Sequence, residues 1–149
     1  MIARIGIAVA LVVAGCLAYV LGNRVWLATR ARQTLGLGSF GYQAGKPAIL
    51  YFTSPGCVPC ITIQRPALAR LLAAFGNRLQ VLEVDATEHT RLADAWGVLS
   101  VPTTFIIDAQ GRPRGVNHGA TRADKLASQL AALGEVPAIP LVATDVAAK

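Results

Sequence analysis

Only three cysteines and two histidines occur in 149 residues. This scarcity bounds the chemistry. A structural zinc site needs four ligands, and beyond Cys57 and Cys60 the candidates are His89, His118 and Cys16. The two histidines are isolated in sequence and Cys16 lies in an apolar run, so no metal site is expected. Three cysteines also exclude a network of structural disulfides, and they fit either a reducing or an oxidising compartment. Acidic residues are absent from residues 1–33, whereas Arg4, Arg24, Arg30 and Arg32 give that segment a charge of +4. The remaining ten basic and eight acidic side chains leave only +2 of the total +6. The high pI therefore belongs largely to the N-terminal flank. No basic helix interleaved with aromatics is present, which argues against a nucleic-acid partner. There is no internal repeat.

A second absence is more specific. Ile5 to Asn23 is a run of 19 residues without a charge. As a helix it spans roughly 28 Å, close to the thickness of a bilayer core. Tyr19 and Trp26 lie near its far end, where interfacial aromatics belong. Residues 1–33 therefore read as a single-pass membrane anchor with a basic flank. A cleaved signal peptide is the plainer alternative. Val13-Ala14-Gly15-Cys16 is similar to a lipoprotein cleavage box, but Leu17-Ala18-Tyr19-Val20-Leu21 continues the apolar run past the cysteine. Residues 34–46 contain four glycines and read as a linker, with a short strand near Phe40. Residues 47–134 form the folded domain. Residues 135–149, with Pro137 and Pro140, read as a loosely ordered tail.

The chemistry-bearing motif is Cys57-Val58-Pro59-Cys60. Ala48 to Phe52 reads as a buried strand, and Thr53-Ser54-Pro55-Gly56 as the turn that ends it. Leu68, Leu71, Leu72 and Phe75 then repeat at helical spacing. The cysteines thus stand at a helix N-terminus, where unpaired N–H groups and the helix dipole favour a thiolate. A purely structural disulfide is a poor reading, because so short a loop restrains little of the unfolded chain. Further along, Leu79 to Val84 reads as a second strand, and Thr87 as the cap of a short helix that carries Leu92 and Trp96 and stops at Gly97. Thr103 to Ile107 reads as a third strand, and Arg114 to His118 as its hairpin partner. Thr121 and Asp124 suggest a capping box before a last helix bearing Leu126, Leu130 and Leu133. The expected architecture is α/β, a central four-stranded mixed sheet flanked by helices, with the first two strands parallel.

These elements resemble the thioredoxin family. The match rests on the cysteine pair after the first strand, on Trp96-Gly97-Val98 followed by Val101-Pro102-Thr103, and on Gly119-Ala120 before the last helix. It covers roughly Pro47 to Leu133. The resemblance implies a thioredoxin-like fold and thiol–disulfide exchange with disulfide-containing protein substrates. It implies a thiol electron donor and no cofactor beyond a Cys57–Cys60 redox disulfide. Cys57 would be the nucleophile and Cys60 the resolving thiol. Pro102 would be cis and face the pair, with Val101 and Gly56 beside it on the substrate side.

The sequence also departs from the family pattern. Gly56 stands where a tryptophan is usual, Tyr51 where a buried aspartate is usual, and Val81 where its lysine partner is usual. Pro66 comes one position later than usual after Cys60, and residues 34–46 cannot hold the family's customary first strand and helix. Tyr51 and Glu83 are the side chains on the first two strands suited to proton transfer. Their plainer readings are a core aromatic and a solvated strand residue. A membrane-anchored protein-disulfide reductase is the leading function. A non-catalytic interaction module and a thiol-based metal chaperone are the alternatives. A bacterial inner-membrane location is expected. The positive-inside rule points the domain to the cytoplasm, whereas the layout of anchored thioredoxin-like proteins points it outward.

Overall fold

The computed structural model describes residues 36–137, and Gly15 before them. The run from Ile5 to Asn23, Cys16 and residues 138–149 of the tail therefore lie outside the described residues, Gly15 excepted. Among the described residues no helix is long and apolar enough to cross a membrane.

The sheet is built around β1 (Ala48–Thr53), in which all six residues are buried. Such a strand has no solvent face, which is why its sequence is a near-continuous apolar run rather than an alternation. β1 pairs in parallel with β2 (Gln80–Asp85) and antiparallel with β3 (Thr103–Ile107), which pairs antiparallel with β4 (Pro113–His118). The order is β2-β1-β3-β4, a four-stranded mixed sheet. Successive side chains of β1 point to opposite faces, and the core divides accordingly. Ile49 and Tyr51 pack with Leu68, Leu71 and Phe75 of α1 (Arg65–Phe75) and with Leu126 and Leu130 of α3 (Ala123–Ala131). Leu50 and Phe52 pack with Leu82, Val84, Phe105 and Ala93, the last on α2 (Thr90–Ala95). Phe105 makes T-shaped contacts with Phe52 and Trp96, with centroids 5.9 and 4.9 Å apart. Helices thus cover both sheet faces, as the element order predicts.

Several local expectations are corrected. Phe40 lies in a 3-10 turn, Leu37–Phe40, and not in a strand. Gly36 and Gly41, both at positive φ, bracket this turn and bend the chain back, so that Leu37 is buried against β1. Thr87 does not cap α2. Its N–H and hydroxyl both bond to Asp85 Oδ1, at 2.8 and 2.6 Å, in a local turn that uses up the side chain. Thr121 and Asp124 form no capping box. The Thr121 N–H is taken by Gln64 Oε1 at 2.9 Å, and Asp124 pairs with Arg122. Leu72 is half-exposed, and Ala67 takes the remaining place in the buried arc of α1. The start of the tail is held to the domain: Val136 is buried and Glu135 Oε2 accepts the Ala109 N–H at 2.8 Å.

The late position of Pro66 has a structural counterpart. The helix runs unbroken from Val58 to Phe75, but Cys60–Gln64 is a π turn, closed by the Arg65 N–H on the Cys60 carbonyl. One extra residue in an α-helix is absorbed in this way without breaking the helix. Cys60, the first residue of the π turn, packs in the same core cluster as Ile49 and Tyr51 of β1.

Candidate functional site

Cys57 and Cys60 are joined by a disulfide with sulfurs 2.05 Å apart and Cα atoms 5.2 Å apart. The two ends differ. Cys60 is fully buried on the Ile49–Tyr51 core, while Cys57 is half-exposed at its margin. The Cys57 carbonyl accepts the first helical bond, from Ile61 at 3.2 Å, and its Sγ accepts the Cys60 N–H at 3.3 Å. Cys57 therefore occupies the N-cap, with its sulfur taking the bond that a capping oxygen takes elsewhere. Charge on that sulfur is favoured by the N–H and by the helix dipole. Pro59 falls in the first turn, where its missing N–H costs no helical bond.

The turn that presents Cys57 depends on Gly56, exposed and at φ +75, a conformation that L side chains resist. On the neighbouring loop the Val101–Pro102 peptide is cis. The Pro102 ring is buried, its carbonyl accepts the Gly119 N–H at 2.8 Å, and Thr103 Oγ donates to Ser100 at 2.8 Å. Val101 packs on the same cluster as Cys57.

Tyr51 lies beneath the pair, fully buried, and its hydroxyl donates to the Cys60 carbonyl at 3.4 Å. Glu83 is its register partner on β2. The Glu83 carboxylate is exposed and pairs with Arg65 at 2.7 Å, tying the sheet edge to the helix. Tyr51 thus touches the redox segment directly, whereas Glu83 meets the solvent side of the same cluster. Arg65, Gln64 and Thr53 were not singled out by sequence reasoning. Gln64 is fully buried and locks the Thr121 backbone to the helix, with its Nε2 also reaching the Thr121 carbonyl at 3.4 Å. An apolar residue is the usual occupant of such a position, so a lone helical glutamine carried no readable signal. His89 is exposed, with its ring 4.9 Å from Phe40, and His118 is exposed on β4. Among the described residues no group of potential ligands is placed to hold a metal.

Burial raises the Tyr51 pKa above its ordinary 10.0, with Thr53 and Arg65 pulling it down and Glu83 pushing it up. A phenol whose pKa is higher folded than unfolded binds its proton more tightly in the folded state. Its stabilisation is complete below about pH 10 and is lost as pH rises through the folded value. Tyr51→Phe is therefore expected to flatten the fall in urea midpoint above about pH 10. Part of the fall persists, because Tyr42 is raised as well, by burial and by Asp108 and Glu135. At neutral pH the same variant loses about 0.5–1.5 kcal/mol through the lost phenol hydrogen bond, the Cys60 carbonyl keeping the Arg65 N–H. An unchanged alkaline profile would contradict the assignment.

Comparison with known proteins agrees with this geometry. The family model described as thioredoxin matches residues 41–132, more than half of the chain. The chain is 31% identical over 91 residues to the chloroplastic thioredoxin Y of Oryza sativa subsp. japonica, covering 61% of this chain and 53% of that one. It is 31% identical over 70 residues to the thioredoxin of Bacillus subtilis, covering 46% and 66%. The matched span is thus between half and two thirds of the length of these curated relatives. Among solved structures, the germline-specific thioredoxin Deadhead of Drosophila melanogaster superposes with a TM-score of 0.54 at 26% identity, covering 60% of this chain and 82% of that one. With the sheet order and the cysteine pair at the helix N-terminus, these matches establish that the chain belongs to the thioredoxin family.

Proposed function

We propose that this protein is a thiol–disulfide oxidoreductase that reduces protein disulfides. The observation that carries the reading is the asymmetry of the pair: one sulfur at the N-cap and accessible, the other buried one turn inward. The Cys57 thiolate attacks one sulfur of a substrate disulfide, forming a mixed disulfide and expelling one substrate thiolate. The Cys60 thiolate then attacks Cys57 Sγ. This releases the second substrate thiolate and leaves the Cys57–Cys60 disulfide. The substrate gains two electrons, and a thiol donor returns them to the pair. Tyr51, bonded to the Cys60 carbonyl, holds the resolving residue in position. Val58, Ile61 and Leu99 are exposed apolar residues around the site, and Ser54, Val98, Leu99 and Val101 line a cleft beside it. Such a surface suits an extended polypeptide substrate.

The anchor belongs to the same proposal. Ile5 to Asn23 would hold the protein in a bacterial inner membrane, with residues 34–149 on the extracytoplasmic side. The analogy to anchored thioredoxin-like proteins supports that side, and Arg24, Arg30 and Arg32 favour the other. The test uses the full chain. Detergent-purified protein should catalyse dithiol-dependent reduction of insulin, and a membrane-impermeant thiol reagent should label Cys57 in intact cells. A folded protein with no turnover under a range of reductants would refute the activity. Labelling only after lysis would refute the orientation.

A further inference from the structure

Gln64 is a polar side chain in an apolar place. It ends the π turn that begins at Cys60, and like Cys60 it is fully buried. Glutamine is seldom buried, because each unbonded polar atom of its amide costs free energy there. Here both ends are bonded, and to a single residue. Gln64 Oε1 accepts the Thr121 N–H at 2.9 Å, and its Nε2 donates to the Thr121 carbonyl at 3.4 Å. Thr121 is itself buried, so water does not stand in for these bonds. A side-chain amide that exchanges two bonds with one residue's backbone fixes orientation as well as distance, as a hydrogen-bonded pair does in an antiparallel sheet.

The segment held in this way leads to the mouth of the site. Thr121 Oγ donates to the Gly119 carbonyl at 3.2 Å, and the Gly119 N–H bonds to the Pro102 carbonyl at 2.8 Å. Val101, next to Pro102, packs on the cluster that holds Cys57 and Cys60. With Val98 and Leu99 it also lines the cleft beside the cysteine pair. The loop of residues 98–101 has other anchors. The Val98 N–H bonds to the Ala93 carbonyl at 2.9 Å, and Thr103 Oγ donates to Ser100 at 2.8 Å. Those bonds fix the loop to α2 and β3. The bonds through Gln64 tie it to the helix that Cys57 caps.

We infer that Gln64 is a positioning residue for polypeptide substrates. It sets the loop of residues 98–101 against Cys57, so that a chain docked in the cleft presents its disulfide to the Cys57 sulfur. The inference rests on the reductase reading and adds to it the residue that joins the docking cleft to the redox helix. A small disulfide without a peptide chain needs no such alignment, because it meets the half-exposed Cys57 sulfur directly.

The experiment uses the full chain in detergent and two substrates: short synthetic peptides joined by a disulfide, and bis(2-hydroxyethyl) disulfide. Gln64→Leu removes both bonds and keeps an apolar body in the same space. The ratio of kcat/KM for the peptide to kcat/KM for the small disulfide should fall about tenfold in this variant, since orientation of the docked chain is what it loses. Gln64→Met, closer to glutamine in length and flexibility, gives the same test if Gln64→Leu does not fold. Either variant should also lower the melting midpoint, because the Thr121 backbone is left unbonded. A merely structural Gln64 would shift the midpoint and leave the ratio where it was, with both rates measured well below the midpoint. An unchanged ratio, or equal slowing of both disulfides, overturns the positioning role and leaves the reductase reading standing. No turnover of either disulfide by the wild type overturns the reductase reading and this inference with it.

Discussion

Cys57→Ser should abolish disulfide exchange, whereas Cys60→Ser should still attack and then stall as a mixed disulfide with its substrate. The two sulfurs are three residues apart, but their surroundings differ. Cys57 Sγ is half-exposed and takes an N–H bond at the start of an 18-residue helical run, Val58 to Phe75. Its thiolate is favoured by a dipole and a donor that both point at it. Cys60 is fully buried, where charge on sulfur is disfavoured until a mixed disulfide stands beside it. In the reduced wild type, iodoacetamide should therefore modify Cys57 first at neutral pH. Mass spectrometry of Cys60→Ser incubated with oxidised substrate should reveal a covalent adduct on Cys57, and Cys57→Ser should give none. Serine is nearly isosteric and keeps an N-cap acceptor, so neither variant should unfold the domain. Faster alkylation of Cys60 would reverse the assignment of roles.

Asp108→Ala should destabilise the protein by about 2–4 kcal/mol through the turn of the β3–β4 hairpin. The carboxylate is 3% exposed. Its Oδ1 accepts the backbone N–H groups of Gln110 and Arg112 at 3.1 and 2.8 Å, and its Oδ2 accepts Nε of Arg112 and Arg114 at 3.2 and 3.3 Å. Alanine leaves two turn amides without their acceptor. The arginines are half-exposed and recover water, so the ion pairs themselves are worth less than the amide bonds. Asp108→Asn retains an acceptor for the turn and should cost only about 1 kcal/mol. Urea denaturation of the two variants separates these contributions. Equal loss in both would mean that charge, not the turn amides, holds the hairpin.

Asp108 also illustrates what a linear reading misses. It begins the hairpin turn, in which the Gly111 N–H closes on its carbonyl at 2.8 Å. Nothing local indicated that Arg114, two residues beyond the turn's other arginine, would point back to the same oxygen. Thr87 and Thr121 were misread for a related reason. Threonine before a helix is a sound capping signal, but Asp85 and Gln64 competed for those groups and won. Gln64 lies 57 residues from Thr121, and no propensity carries information over that distance.

The sequence by itself determined the elements that depend on near neighbours. The fully apolar β1, the turn at Gly56, the helix carrying Leu68, Leu71 and Phe75, the third strand and the placement of Cys57 and Cys60 at a helix start all follow from spacing within a dozen residues. Backbone hydrogen bonding and burial periodicity act over that range. Tertiary structure alone decided what the pair rests on and faces. The β1–β2 register set Tyr51 against Glu83, and the π turn brought Arg65 to that carboxylate. Closure of the helix over the sheet set the Tyr51 phenol against the Cys60 carbonyl. These are meetings of side chains from segments distant in sequence. They exist only once the hydrophobic faces have closed, because burial is what fixes the register and withdraws the water that would otherwise satisfy each polar group.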